Sequence, residues 1–181
     1  MYRKLLILIV FLFFSLPSSA HQDIWINVDT ENLTLAVMNG EAIEVVFDNI
    51  AIGRFGASKA RMKNDDRTPL GSFRIGWIKE KSQYYRFYGF NYPTREVADL
   101  ALAENRIDKD TWQTIINAIE AGRIPPQNTP LGGYLGIHGI GKGDRKVHEQ
   151  FNWTNGCIAL TNEQLDKLSK WLKPGVLVEI R

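Results

Sequence analysis

Two periods run through this chain. From Ile24 the apolar residues fall at every second position: Ile24, Ile26 and Val28 stand against Trp25, Asn27 and Asp29, which predicts a half-buried strand. Leu33, Leu35 and Val37 repeat the alternation up to Asn39-Gly40, and Ile43, Val45 and Phe47 carry it away again. Asn-Gly between two such runs predicts a hairpin whose turn residues both take positive φ. Ile50 to Arg54 is strand-like and a charged loop follows from Lys59 to Arg67. Thr68-Pro69-Leu70-Gly71 then punctuates the chain before Ser72 to Trp77 alternates once more. The first half reads as a β meander.

The period then lengthens. Between Arg95 and Asn105, Val97, Leu100 and Ala101 fall at helical spacing. Asp108 is placed to cap a second helix with Trp112, Ile115, Ile116 and Ile119 on one face, stopped by Gly122 and Pro125-Pro126. These two helices form an insertion at about 94–124. Two short alternations follow. Tyr134, Gly136 and His138 share one face against Leu135 and Ile137; Cys157 and Ala159 share one against Ile158 and Leu160. Thr161 with Gln164 makes a capping box for a last helix facing the core through Leu165, Leu168, Trp171 and Leu172. Lys173-Pro174-Gly175 ends it, and Val176, Val178 and Ile180 predict a final strand. The expected class is mainly β (α+β), with a two-helix insertion and a C-terminal helix.

The first 20 residues stand apart from this pattern. Arg3 and Lys4 precede an apolar run from Leu5 to Leu16, and Pro17-Ser18-Ser19-Ala20 supplies small residues. That is the layout of a secretory signal cut before His21, and the run is shorter than the roughly 20 residues that cross a bilayer. The expectation is therefore a signal peptide over 1–20, a domain over 21–181, and export to the periplasm with no membrane span after cleavage. The sequence holds 22 basic and 20 acidic residues; losing Arg3 and Lys4 leaves 20 of each. A balanced charge gives no basis for nucleic acid or an anionic membrane as partner.

Cys157 is the only cysteine, so it cannot form an internal disulfide, and an unpaired thiol is a liability in an oxidising compartment unless it has a task. A small buried hydrophobe and a reactive thiol are the two readings of it. A thiol becomes a strong nucleophile as thiolate, and an imidazole can take its proton. His138 lies 19 positions upstream, far enough for a loop to bring two strand ends side by side. The amides of Gly156 and Cys157 are candidates to stabilise an oxyanion. His148 sits among Lys146, Glu149 and Gln150, where a solvated side chain competes with a site role. Zinc on His138, His148 and Cys157 lacks a fourth ligand, so no metal is expected. The aromatics Tyr84, Tyr85, Phe87, Tyr88, Phe90 and Tyr92 read as core packing or as a ligand platform. Arg54, Arg61, Lys63 and Arg67 read as a solvated surface or as a greeting for anionic groups.

Ile137-His138-Gly139, followed by Trp153-Thr154-Asn155-Gly156-Cys157-Ile158-Ala159-Leu160, resembles the catalytic signature of the L,D-transpeptidases of YkuD type; Thr68-Pro69-Leu70-Gly71 resembles their upstream motif. The resemblance implies a β-sandwich of mixed sheets and a peptidoglycan-remodelling cysteine acyl-transferase without a cofactor. Cys157 would attack the L-centred diaminopimelate carbonyl of a stem peptide and His138 would be the base, held by a backbone carbonyl. Gly156 and Cys157 amides would form the oxyanion hole, with Thr154 and Gly139 shaping the loops. Asn155, His148 and Tyr134 are the candidate substrate contacts. Asn155 stands where many members have histidine, and Ala159 where many have arginine or asparagine. Phe90 to Pro93, the insertion and the Asn-Gly-Cys-Ile-Ala-Leu run resemble a subgroup that includes an enzyme detaching a lipoprotein from peptidoglycan. A hydrolase cutting a lipoprotein or cross-link amide, and an inactive peptidoglycan-binding scaffold, are the alternatives.

Overall fold

A computed structural model describes residues 23–181, so the segment read as a signal peptide lies outside the described residues. In chain order the elements are β1 (Ile24–Asp29), β2 (Thr34–Asn39), β3 (Ala42–Phe47), β4 (Ala57–Ser58), β5 (Thr68–Pro69), β6 (Gly71–Ser82) and β7 (Tyr85–Phe90). There follow α1 (Arg95–Ala103), α2 (Lys109–Glu120), β8 (Gly136–Gly139), α3 (Arg145–Gln150), β9 (Ile158–Leu160), α4 (Asn162–Leu168) and β10 (Leu177–Ile180). Eight strands join in the order β3-β2-β1-β10-β6-β7-β8-β9, while β4 and β5 form a separate parallel pair. The β1–β10 and β8–β9 pairs are parallel and the rest antiparallel. The class is thus mainly mixed β with a few helices, the β-rich character being what the alternation predicts and the mixed pairing what the resemblance implies.

The long strand β6 serves both halves. Gly71 to Arg74 pair with β10, and Ile75 to Ser82 pair with β7, with a register irregularity between Ile75 and Trp77 where the strand changes partner. Ile26, Val28, Leu35, Val37, Phe73 and Phe90 from the strands, and Tyr92 just past β7, share one core with Ala98, Ala101, Ile115 and Ile116 of the two inserted helices. Each such large side chain contributes roughly 1.5–3 kcal/mol by leaving water, so the insertion is part of the core and no appendage. Thr94 and Asp108 cap α1 and α2, and Thr161 with Gln164 closes the capping box on α4.

Four details differ from the pattern reading. The β2–β3 turn is Gly40-Glu41, because Asn39 pairs with Ala42; of the two turn residues only Gly40 takes positive φ, as a type II′ turn requires. Leu100 is 38% exposed and Ala98 takes the inward position, since α1 starts at Arg95 and rotates its apolar stripe accordingly. Tyr134 is not strand: its φ of 54° is left-handed, and extended pairing begins only at Gly136. The polar stretch around His148 is a helix, α3, capped by the Asp144 side chain on the Lys146 amide.

Candidate active site

The parallel pair β8–β9 sets the site. His138 is opposite Ala159 in register, and Cys157 enters the same wall two residues earlier, just before β9 begins. Both side chains line a cleft of about 780 Å³, together with Tyr84, Tyr134, Trp153 and Asn155. His138 is buried. Its Nδ1 lies 2.7 Å from the Gly139 carbonyl, which can only accept, so Nδ1 carries the proton and Nε2 keeps the lone pair. Gly139 is thereby the residue that orients the histidine, and its own amide donates to Tyr84 O at 3.0 Å. A side chain there would meet Asn162 Oδ1 at 2.5 Å. Tyr84 stacks on the imidazole at 4.6 Å between centroids, and Trp153 meets it edge-on at 5.7 Å.

This aromatic cage sets the proton affinity. Burial lowers the His138 pKa to about 4, opposed by the Gly139 hydrogen bond and helped by the nearby His148. Burial also pushes the Cys157 thiol up to about 11, with the Gly136 backbone and the Arg61 guanidinium pulling the other way. The resting pair is therefore neutral thiol and neutral imidazole. The thiol donates to Tyr134 O at 3.5 Å, so the sulfur rests on backbone.

The nucleophile loop is closed by one hydroxyl. Thr154 Oγ1 donates to Cys157 O at 2.7 Å and accepts the Gly156 amide at 3.1 Å. Thr154 N donates to Ile52 O, and Arg54 N donates to Thr154 O, which ties the loop to the segment running from Ile50 to Arg54. The expected oxyanion role of the Gly156 amide is corrected by this geometry, since that donor is spent inside the loop. Among the described residues no intrachain bond takes the Cys157 amide, which leaves it as the candidate donor. Gly156 is needed for another reason: its φ is 117°, and a Cβ would sit 2.5 Å from Arg67 O.

Arg61 belongs to a charged loop of the sequence, yet it is buried. It donates to Arg67 O at 2.9 Å and to Leu131 O at 2.5 Å, reaches Asn155 O at 3.5 Å, and lies over the Tyr92 ring. One guanidinium so pins three loops behind the cysteine, a role that no spacing signal marks. Gln127 does the same on the facing wall, accepting from the Tyr134 amide and donating to Tyr92 O.

The remaining candidates separate. Tyr134 and Asn155 border the cleft, the first 65% exposed as a residue and the second with Oδ1 held by Arg54. His148 is corrected: it is buried away from the cleft, so it cannot touch a substrate carboxylate there. The aromatic run divides as well, with Tyr84 and Phe87 at the cleft and Tyr88, Phe90 and Tyr92 in the core. Among the described residues no group of three or more His, Cys, Asp or Glu is set to hold a metal ion, and no helix is long and apolar enough to cross a membrane.

A lone thiol and a tautomer-fixed imidazole in one cleft of a mixed β-fold define a thiol-centred site. The family model of the L,D-transpeptidase catalytic domain (YkuD) matches residues 21–180, and the chain belongs to that family. No curated protein matches the chain. Among solved structures, the helical cell shape determining protein Pgp2 from Campylobacter jejuni is similar at 20% identity and TM-score 0.58, over 87% of this chain and 47% of its own. Bdellovibrio bacteriovorus Bd1075 is similar at 19% identity and TM-score 0.51, over 91% and 50%. A variant of an Enterococcus faecium L,D-transpeptidase gives 12% identity and TM-score 0.51, over 88% and 50%. At these identities the likeness is one of fold. The chain spans about half the length of each of these structures.

Proposed function

We propose that this protein is a periplasmic cysteine acyl-transferase that acts on peptidoglycan stem peptides at the L-centred diaminopimelate carbonyl. The observation that carries the reading is the pairing of Cys157 with His138 in one cleft, the imidazole's Nδ1 proton being locked on Gly139 O so that Nε2 is the base. Rotation of the Cys157 side chain away from Tyr134 O would bring the thiol to that base. Sulfur then bonds to the carbonyl carbon as Nε2 takes the thiol proton, and the Cys157 amide faces the oxygen that gains charge. Collapse breaks the bond to the terminal D-alanine, whose amine leaves with the proton from His138, and a thioester remains. An amine of a second stem, or water, gives a proton to His138 Nε2 as it attacks the thioester; the S–C bond breaks and His138 passes that proton to sulfur. With the imidazole near 4 and the thiol near 11, the proton moves only as the S–C bond forms, so no standing ion pair is needed.

The basic and apolar start of the sequence supports export, and the Phe90 to Pro93 and Asn-Gly-Cys-Ile-Ala-Leu runs support placement in the subgroup with the helical insertion. The test mixes purified protein, with Cys157→Ala as control, with tetrapeptide muropeptides and with sacculi carrying bound lipoprotein. Loss of D-alanine with new dimers is the expected product pattern by mass spectrometry. Monomers or free lipoprotein without dimers would make the enzyme a hydrolase, and no Cys157-dependent product would make it a binding scaffold.

A further inference from the structure

We propose that Arg54 is the side chain that grips a free carboxylate of the peptide while its carbonyl is attacked; this rests on the acyl-transfer reading above. Arg54 stands where two cavities meet. It lines the cleft of Cys157 and an adjoining one of about 500 Å³ beyond Tyr84 and Trp153. Its backbone amide is bonded to Thr154 O at 3.0 Å, so its position is fixed to the nucleophile loop itself.

The guanidinium is held from one side only. Nη1 donates to Asp66 Oδ2 at 2.7 Å and to Asn155 Oδ1 at 2.6 Å. Among the described residues Nε and Nη2 have no intrachain acceptor, and the side chain is 49% exposed. Nε and Nη2 form the side-on fork that matches a carboxylate with two parallel bonds. Two acceptors thus set the orientation of the group and leave its bidentate edge open, which lowers the entropy lost on binding.

The surroundings favour an anion. Arg54, Arg61, Lys63 and Lys79 line the main cleft against one carboxylate, Asp66, which is already bonded to Arg54. Arg61 is consumed by backbone carbonyls, and Lys63 and Lys79 offer point charges with no matching fork. Ala159, opposite His138, contributes no polar group from the strand. Among the described residues Arg54 is the one cation lining this cleft that is both held in place and unfilled.

The test measures kcat and KM with the tetrapeptide and with analogues in which each free carboxylate is amidated in turn. Arg54→Gln should raise KM about 10- to 100-fold on the parent peptide, with kcat changed by less than about threefold. The penalty should vanish for the one analogue whose amidated carboxylate Arg54 holds, which identifies that carboxylate. Arg54→Lys should recover only part of the loss. Should Arg54→Gln fold poorly, Asn155→Ala, which frees the guanidinium without removing it, should still raise KM several-fold on the parent and not on that same analogue. An equal loss on every analogue, or no change in KM, would overturn the proposal. Binding of the peptide to Cys157→Ala, with and without Arg54→Gln, separates the two claims. Arg54-dependent binding without wild-type turnover removes the acyl-transfer reading alone. Turnover with Arg54-independent binding removes this inference alone.

Discussion

His138 and His148 flank Trp153, are 2% and 3% exposed, and are both held below the ordinary imidazole range, in each case chiefly by burial. Their hydrogen bonds run in opposite senses. His138 Nδ1 donates to a carbonyl, which leaves an unshared pair on Nε2 at the cleft wall. His148 Nδ1 accepts the Trp153 indole N–H at 3.2 Å, so its proton is on Nε2 and its lone pair is spent on the tryptophan. Equal burial thus gives unequal chemistry. The partner's polarity decides which imidazole can take a proton, and His148 serves by holding the ring that walls in the other.

The largest effect that would break this contrast is on the acylation rate. His138→Gln should lower it by about 10²–10⁴, and His148→Gln should leave it within about tenfold, both read by rapid-quench mass spectrometry. Equal losses would mean that His148 also takes part in proton transfer. Thiol alkylation comes next. With a thiol near 11, only about one part in 10⁴ is thiolate at pH 7, so the rate should climb through pH 10. A plateau near neutrality would instead show a thiolate–imidazolium pair.

Stability against pH sharpens the same point. Above pH 6.5 His138 is neutral in both folded and unfolded chains. As pH falls from 6.5 toward 4, the unfolded chain binds a proton that the native site refuses, and stability drops by on the order of 3 kcal/mol. Denaturant titrations of His138→Gln should show that slope flattened. The smallest effect belongs to Trp153→Phe, which leaves His148 Nδ1 buried without its donor and should cost about 1–2 kcal/mol in the same titration.

The elements that bury one face were legible because a period of two or of 3.6 is written directly in the apolar residues, as in Ile26–Val28, Ile115–Ile116 and the capping box at Thr161. The thiol and the imidazole were legible because a single cysteine and a His-Gly pair are rare symbols. What was not legible depended on direction and depth. No pattern tells that Arg61 turns inward from a charged loop to meet three carbonyls, or that the Thr154 hydroxyl consumes the Gly156 amide. His148 looked solvated because its neighbours Lys146, Glu149 and Gln150 are polar; a six-residue helix turns them outward and the imidazole inward. Leu100 misled for the mirror reason, since one apolar residue does not reveal where a helix begins.

β10 lies between β1 and β6 and, among the described residues, is the sole ladder connection between the β1–β3 meander and the strands that carry the cleft. Strand β1 therefore waits for Leu177 to Ile180, about 150 residues later, before it gains a neighbour on that side. Nucleation from the N-terminal hairpins cannot close the core while Leu177 to Ile180 are still being made or delivered, and so long-range a closure favours slow folding. In genetic terms, a stop codon at Leu177 would remove the middle of the sheet although every residue of the cleft had been translated.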